Sequence, residues 1–236
     1  MIYKLAKNDF KTKYAGSYLG IIWAFIQPVI TVLVYWFVFE VGFRGGSDSL
    51  PVPFVLYLVA GIIPWFFFQD GLTGGTNSLL EYSYLVKKVV FNISVLPVVK
   101  ILSAVFVHLF FIVFITFLYC CYGHFPDLYY LQLLYYLAGL LLLILGLSYL
   151  TSAVVVFFRD LSQMISIALQ IGIWLTPIMW VAEDKLIHYP LLYKILKLNP
   201  VYYIVMGYRD AFIYKHWFWE RPLWTAYFWC FVIGVL

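Results

Sequence analysis

Long apolar runs separated by short polar segments dominate this chain. Six such runs cover residues 18–39, 52–80, 95–122, 128–158, 161–181 and 222–236. Because the hydrocarbon core of a bilayer is about 30 Å thick and a helix rises about 1.5 Å per residue, about 20 apolar residues cross it. The pattern therefore predicts an all-α, polytopic membrane protein with six transmembrane helices. The sixth run is about five residues short of a full crossing, so we expect the sequence to be truncated there.

Breaks are expected inside the second run, at Pro64 and at Asp70. The same run contains three glycines that would allow close helix packing, namely Gly71, Gly74 and Gly75.

The composition agrees with a lipid environment. Hydrophobic residues make up 65% of the chain, charged residues only 11%, and the mean hydropathy is +0.94, which excludes an ordinary soluble domain. The net charge of +4 lies in short clusters near the ends of the runs. That distribution favours contact with anionic lipid headgroups over nucleic-acid binding.

The first segment, residues 2–14, begins as an amphipathic helix. Three lysines share one arc, with apolar side chains on the other side: Lys4, Lys7 and Lys11. We expect this helix to lie along the membrane surface and to end near Gly16. Basic residues flank the loops on its side of the membrane, so the positive-inside rule predicts a cytoplasmic N-terminus.

Residues 182–221 have a different character, because charged residues and two prolines, Pro190 and Pro200, interrupt the apolar patches. No piece is long enough to span a bilayer. We expect short helices at or dipping into one membrane face. Parity places this segment outside, although its six basic residues disagree with the positive-inside rule.

Motifs for catalysis and metal binding are missing from the sequence. No G-x-x-x-x-G-K-[ST] phosphate loop occurs, so any ATP must bind to another chain. The four histidines and three cysteines lack metal-ligand spacing, so we predict no metal site. Three ionisable residues inside apolar runs are functional suspects. For Glu40 and Lys100, near run ends, we favour side chains that reach the headgroups, whereas for Asp70 a functional role and a place in an ordinary bundle helix are equally supported.

Aromatic residues make up 22% of the chain and admit two interpretations. Lipid-facing and interfacial positions are the usual explanation. Alternatively, some line a conduit for a sugar chain, because the C–H faces of pyranose rings stack on aromatic faces. The conduit candidates are Trp23, Tyr35, Phe39, Tyr57, Trp65, Phe66 and Trp174.

Four stretches together resemble the permease subunits of bacterial ATP-binding-cassette exporters of polysaccharides, which move O-antigen, capsule or teichoic acid chains. They are FKTKYAGSYLGIIWAFIQPVI (10–30), YSYLVKKVVFNISVLPVVK (82–100), FFRDLSQMISIALQIGIWLTPIMW (157–180) and LNPVYYIVMGYRDAFIY (198–214). Their order and spacing cover nearly the whole chain. Ala15 departs from the family, which often carries a basic residue before the Gly-Ser pair.

The resemblance implies an interface helix at 2–14, a cytoplasmic coupling helix at 82–90 and re-entrant gate helices within 182–221. It also implies a homodimer with two ATPase subunits that supply the ATP and Mg site, and a conduit between the permeases. Residues expected to couple to the ATPase are Lys4, Lys7, Lys11, Tyr84, Leu85, Val86, Lys87, Lys88 and Val89. Expected gate residues are Asn199, Pro200, Tyr203, Arg209 and Asp210.

The function expected from this resemblance is export of a lipid-linked polysaccharide across the bacterial cytoplasmic membrane, with no catalysis or cofactor in this chain. One alternative is a permease for a drug or small lipid, against which a wide aromatic conduit would count. Another is a membrane-embedded glycosyl or acyl transferase. A transferase needs a polar pocket with convergent carboxylates or histidines, and the scattered acids here do not predict one.

Overall fold

The fold is helical throughout the part of the chain that is described. A computed structural model describes residues 2–14, 16–42, 50–83, 92–182 and 189–236, and no strand occurs among them. The α-helices are α1 (Ile2–Lys13), α2 (Trp23–Trp36), α3 (Phe54–Glu81), α4 (Val95–Cys121), α5 (Gln132–Val155), α6 (Leu161–Leu175), α7 (Pro190–Lys197), α8 (Pro200–Arg209) and α9 (Pro222–Val235).

Shorter helical pieces extend several of these elements. A 3₁₀ turn, Gly20–Ile22, leads into α2, which continues as a π-helix over Phe37–Gly42. A second 3₁₀ turn, Leu128–Leu131, leads into α5. A further π-helix, Asp210–Tyr214, follows α8, and a 3₁₀ turn, Phe218–Glu220, precedes α9.

Among the described residues, four helical segments are long and apolar enough to cross a membrane. They are Gly20–Gly42, Phe54–Glu81, Val95–Cys121 and Leu128–Val155. The segments Leu161–Leu175 and Pro222–Val235 are apolar but shorter. The structure thus agrees with a multi-pass membrane protein, while the count of six spans stays a prediction.

The expected breaks in the second apolar run do not occur. Pro64 and Asp70 both lie within the continuous helix α3. A proline in a helix removes one hydrogen bond and disturbs the turn before it, but neighbouring helices can compensate within a buried bundle. Here Pro64 is buried with most of α3, which makes α3 the centre of the fold.

Close packing of α3 against α5 depends on a glycine face. A Cβ atom built on Gly75 would lie 2.1 Å from Ser148 Oγ, and one on Gly71 would lie 3.1 Å from Ile144 Cγ2. The predicted role of these two glycines is confirmed. Gly74 points elsewhere, since its Cβ would meet Lys100 at an ordinary 3.6 Å.

The segment between α6 and α9 divides into an exposed and a buried part. Helix α7 has no buried residue, whereas every residue of α8 from Val201 to Arg209 is buried. The α8 side chains are therefore enclosed by protein, mainly by α3 and α5. Enclosure supplies partners for the polar groups of α8, such as the guanidinium of Arg209.

Candidate functional site

The inner face of α1 is fixed to α3 and α4 by an ionic cluster in which Asp9 and Lys100 are largely buried and Glu81 is half-exposed. Asp9, only 5% exposed, lies 2.7 Å from the ammonium nitrogen of Lys100. Lys100 also lies 2.5 Å from Glu81 at the end of α3, and the hydroxyl of Tyr82 donates a 2.6 Å hydrogen bond to Asp9. Lys100 therefore does not extend to the headgroups, as the sequence had suggested; it joins three helices.

A second ion pair lies one helical turn further along α1. Lys13 Nζ is 2.5 Å from Asp70 Oδ1, and each side chain is about 40% exposed. Burial lowers the pKa of Lys13, but the attraction and hydrogen bond of Asp70 outweigh it, so the pKa lies above its ordinary value. The ammonium group is therefore charged at neutral pH, and Asp70 has an ionic partner in α1.

Two cavities flank the Lys13–Asp70 pair. The larger, of about 670 Å³, lies among α2, α3, α4 and α6. The smaller, of about 430 Å³, lies between α1 and the adjoining ends of α3 and α4. Aromatic rings, amides and hydroxyls line the larger cavity, including Trp23, Gln27, Thr31, Tyr35, Phe66, Gln69, His108, Gln170 and Trp174.

At the opposite end of the bundle, Arg209 closes α8 against the chain that follows α6. Its side chain is fully buried, and its guanidinium donates 2.7 Å hydrogen bonds to the carbonyls of Pro177 and Ile178. The guanidinium carbon lies 3.6 Å from the ring centroid of Tyr57. Arg209 thus supplies donors to carbonyls that a helix would otherwise satisfy.

The start of α8 is fixed to the same region. Asn199 caps the helix by accepting a hydrogen bond from the Val201 amide, and its side-chain amide donates to Thr176 at 2.9 Å. Pro200 is the first helical residue, where its missing N–H costs nothing. Both ends of α8 therefore hold the chain just after α6.

Two further predicted gate residues contact α9 or the residue that precedes it. Tyr203 hydroxyl lies 3.0 Å from that of Thr225. Asp210 accepts a 2.9 Å hydrogen bond from Arg221. Burial raises the pKa of Asp210 to about 6, although Arg221 opposes that change.

The predicted conduit residues fall into two groups. Four line the larger cavity: Trp23, Tyr35, Phe66 and Trp174. Phe39 packs beside this cavity, with its ring centroid 6.5 Å from that of Trp174. Tyr57 and Trp65 belong to the packed core, at 1% and 2% exposure, and are not among the lining residues.

The predicted ATPase contacts are only partly described. Lys4, Lys7 and Lys11 are exposed on α1. The remaining candidates, residues 84–89, lie outside the described residues. Glu40 lies in the π-helix after α2, and one of its carboxylate oxygens is buried without a hydrogen-bond partner in the described part of the chain.

Sequence reasoning missed two residues of this site. Lys13 was visible only as a departure from the lysine arc of α1, and its partner lies 57 positions away. His108 was one of four scattered histidines, yet it stacks on Phe67 and its Nε2 lies 2.8 Å from the hydroxyl of Tyr208. Across the described ranges, no group of three potential metal ligands comes together.

Comparisons with known proteins give the family of this chain. The family model described as "ABC-2 type transporter" matches residues 2–213. An O-antigen export system permease protein RfbA from Klebsiella pneumoniae is 26% identical over 212 residues, covering 89% of this chain and 78% of that protein. A protein of the same description from Myxococcus xanthus is 26% identical over 219 residues, covering 92% and 81%. This chain belongs to the ABC-2 type transporter family and is a membrane transport subunit, not an enzyme.

Proposed function

We propose that this chain is the permease of an ABC transporter that exports a lipid-linked polysaccharide of the O-antigen type. The observation that carries the proposal is its similarity to O-antigen export permeases over about nine-tenths of its length. The transporter would work in the bacterial cytoplasmic membrane, with the N-terminus of this chain in the cytoplasm.

The chemistry of the larger cavity supports a carbohydrate substrate. Flat aromatic faces such as those of Trp23 and Trp174 can stack on sugar rings. The amides of Gln27 and Gln170 can exchange hydrogen bonds with sugar hydroxyls. Apart from the paired Lys13 and Asp70, rings, amides, hydroxyls and apolar side chains make up this lining, which favours a hydroxyl-rich chain.

The shape of α1 supports its assignment as the helix that meets a motor subunit. At about 100° per residue, Lys7 and Asp9 lie on nearly opposite sides of the helix. The side carrying Asp9 is anchored to the bundle, whereas Lys4, Lys7 and Lys11 face outward. A helix that is anchored to the bundle on one side and exposed on the other can transmit a movement of a bound partner to α3 and α4.

The proposed assembly contains two copies of this permease and two ATPase subunits. ATP and Mg would bind to the ATPase, and this chain would hold no cofactor. Residues 84–89 would form the second contact with the motor, in a coupling helix at 82–90. Within 182–221, the pieces around α8 would form the outer gate, with Asn199, Tyr203 and Arg209 holding it to its neighbours.

Co-purification tests the motor assignment. The affinity-tagged chain, extracted in mild detergent, is expected to bring down an ATP-binding-cassette ATPase. L85D and V89D are expected to reduce both recovery of the ATPase and export, while K194Q, on exposed α7, leaves both unchanged. Export activity by the isolated chain without any ATPase would contradict the proposal.

A further inference from the structure

The two cavities meet at one ion pair. Their linings share Lys13, Asp70, Thr73 and Ala104, and the contact between Lys13 and Asp70 bridges α1 to α3 at this junction. Each of the two charged side chains is about 40% exposed, because cavity space lies beside it. The contact between the Lys13 and Asp70 side chains therefore lies at the junction of the two cavities.

We propose that the Lys13–Asp70 ion pair is a movable partition between the two cavities, and that its separation joins them into one passage. The passage would run from the α1 end of the bundle, through the smaller cavity, to the larger cavity. The inference rests on the proposed transport function and assigns part of its route to these two residues.

The difference between the two ion pairs of α1 indicates which one opens. Asp9 and Lys100 are largely buried, with side chains 6% and 12% exposed, and Lys100 has a second acidic partner in Glu81. Lys13 and Asp70 are each half-exposed and paired mainly with one another. An ion pair between hydrated groups loses little when it separates, since water replaces each partner. The Asp9–Lys100 pair therefore anchors α1, and the Lys13–Asp70 pair can separate.

The chain around Lys13 allows such a movement. Lys13 is the last residue of α1, and Gly16 and Gly20 follow with positive φ of 92° and 53°. These glycines form a bend that L side chains rarely adopt, so α1 ends before α2 begins and the two are separate helices. Asp9 and Lys13 lie one turn apart on the same face, so a tilt of α1 about its Asp9 anchor withdraws Lys13 from Asp70.

Thiol labelling tests the partition in inside-out membrane vesicles that contain the full transporter. The parent variant carries serine at Cys120, Cys121 and Cys230 and a single cysteine in the larger cavity, T31C. A charged, membrane-impermeant methanethiosulfonate reagent is added to the side on which α1 lies. We expect K13Q and D70N each to raise the labelling rate of T31C severalfold. The charge-swapped double variant K13D/D70K is expected to return it toward the parent rate.

Two controls keep the result interpretable. K194Q removes an exposed charge of α7 that lines neither cavity and is expected to leave the T31C rate unchanged. A cysteine in the smaller cavity, N77C, is expected to label at one rate in every variant, which shows that the α1 end keeps its fold. Equal T31C rates in the parent, K13Q and D70N would overturn the partition, as would a swapped variant that labels as fast as K13Q. Labelling needs no substrate, so its result is independent of the export measurement. Equal T31C rates together with ATP-dependent export would overturn only the partition, and loss of export with the expected T31C rates would overturn only the proposed function.

Discussion

The carboxylate of Asp9 and the ammonium nitrogen of Lys100 lie 2.7 Å apart in the interior of the α1 end, although 91 positions separate them along the chain. Glu81 completes the cluster at 2.5 Å from Lys100. One lysine on α4 thus joins α1 to the end of α3. This connection gives the amphipathic first helix a fixed position on the bundle.

Removing the central cation should destabilise this connection most. K100M leaves two acids without their cation, and loss of one partner of a buried ion pair costs about 3–5 kcal/mol. D9N should cost less, because Lys100 keeps Glu81. The thermal unfolding midpoint in detergent should therefore fall in the order K100M, then D9N, with K4M unchanged since Lys4 is exposed. Equal midpoints for K100M and K4M would contradict the anchoring role.

Arg209 should be required for the stability of the end of the bundle opposite α1. R209M removes two hydrogen bonds from a charged donor, each worth about 1.5–3 kcal/mol, and leaves the carbonyls of Pro177 and Ile178 without them. G61A should act in the same direction, because the added Cβ would lie 2.8 Å from the Arg209 guanidinium. Unfolding midpoints and export both test this. Wild-type values for R209M would show that the Arg209 hydrogen bonds do not stabilise this end of the bundle. K194M, on exposed α7, is the matched control.

Adjacent glycines of α3 should respond differently to the same added methyl group. G75A would drive a Cβ into Ser148, and overpacking of this kind costs about 1–3 kcal/mol. G74A should be tolerated, because its nearest neighbour is Lys100 Cβ at 3.6 Å. The difference in unfolding midpoint between the two variants measures the effect. Partial recovery in G75A/S148G would confirm the contact, and equal midpoints for G74A and G75A would exclude it.

Asp210 should add a pH-dependent contribution to stability. Its pKa is raised to about 6 from the ordinary 3.8 by burial, so the folded state binds the proton more tightly. That contribution is fully present below the unfolded pKa, near 4, and is lost as the pH rises through 6, at about 1.4 kcal/mol per unit. His216, Glu220 and Arg221 also act on this carboxylate, so the comparison is with D210N.

As the pH is lowered from 7 to 5, the unfolding midpoint of the wild type should rise relative to that of D210N. Subtracting the D210N profile removes titrations common to both proteins. A constant difference between the two profiles over this range would show that Asp210 does not titrate there.

The fold was largely predictable because its main determinants are local. Runs of about 20 apolar residues and their flanking charges specify membrane helices without knowledge of their partners. Proline was a poorer guide, since Pro64 lies inside continuous α3 whereas α6 ends at Leu175, two residues before Pro177. The effect of a proline depends on what surrounds the freed carbonyl, and tertiary packing decides that.

The site was less predictable because its ion pairs join distant parts of the sequence. The lysine arc of α1 was visible from spacing alone. Nothing local indicates that Lys13 meets Asp70, or that Arg209 finds carbonyls instead of an acid. Aromatic density likewise suggested a conduit without separating Trp174, which lines the larger cavity, from Trp65, which is buried in the core.

Transport in inside-out membrane vesicles tests whether this permease moves a lipid-linked polysaccharide across the membrane. The vesicles carry this permease, its ATPase and a labelled lipid-linked polysaccharide in the outer, cytoplasmic leaflet. We expect ATP to make the polymer inaccessible to an added lectin, and this protection to be lost when the permease is omitted. Polymer that stays accessible with ATP, or becomes protected without this permease, would show that the chain is not the export permease.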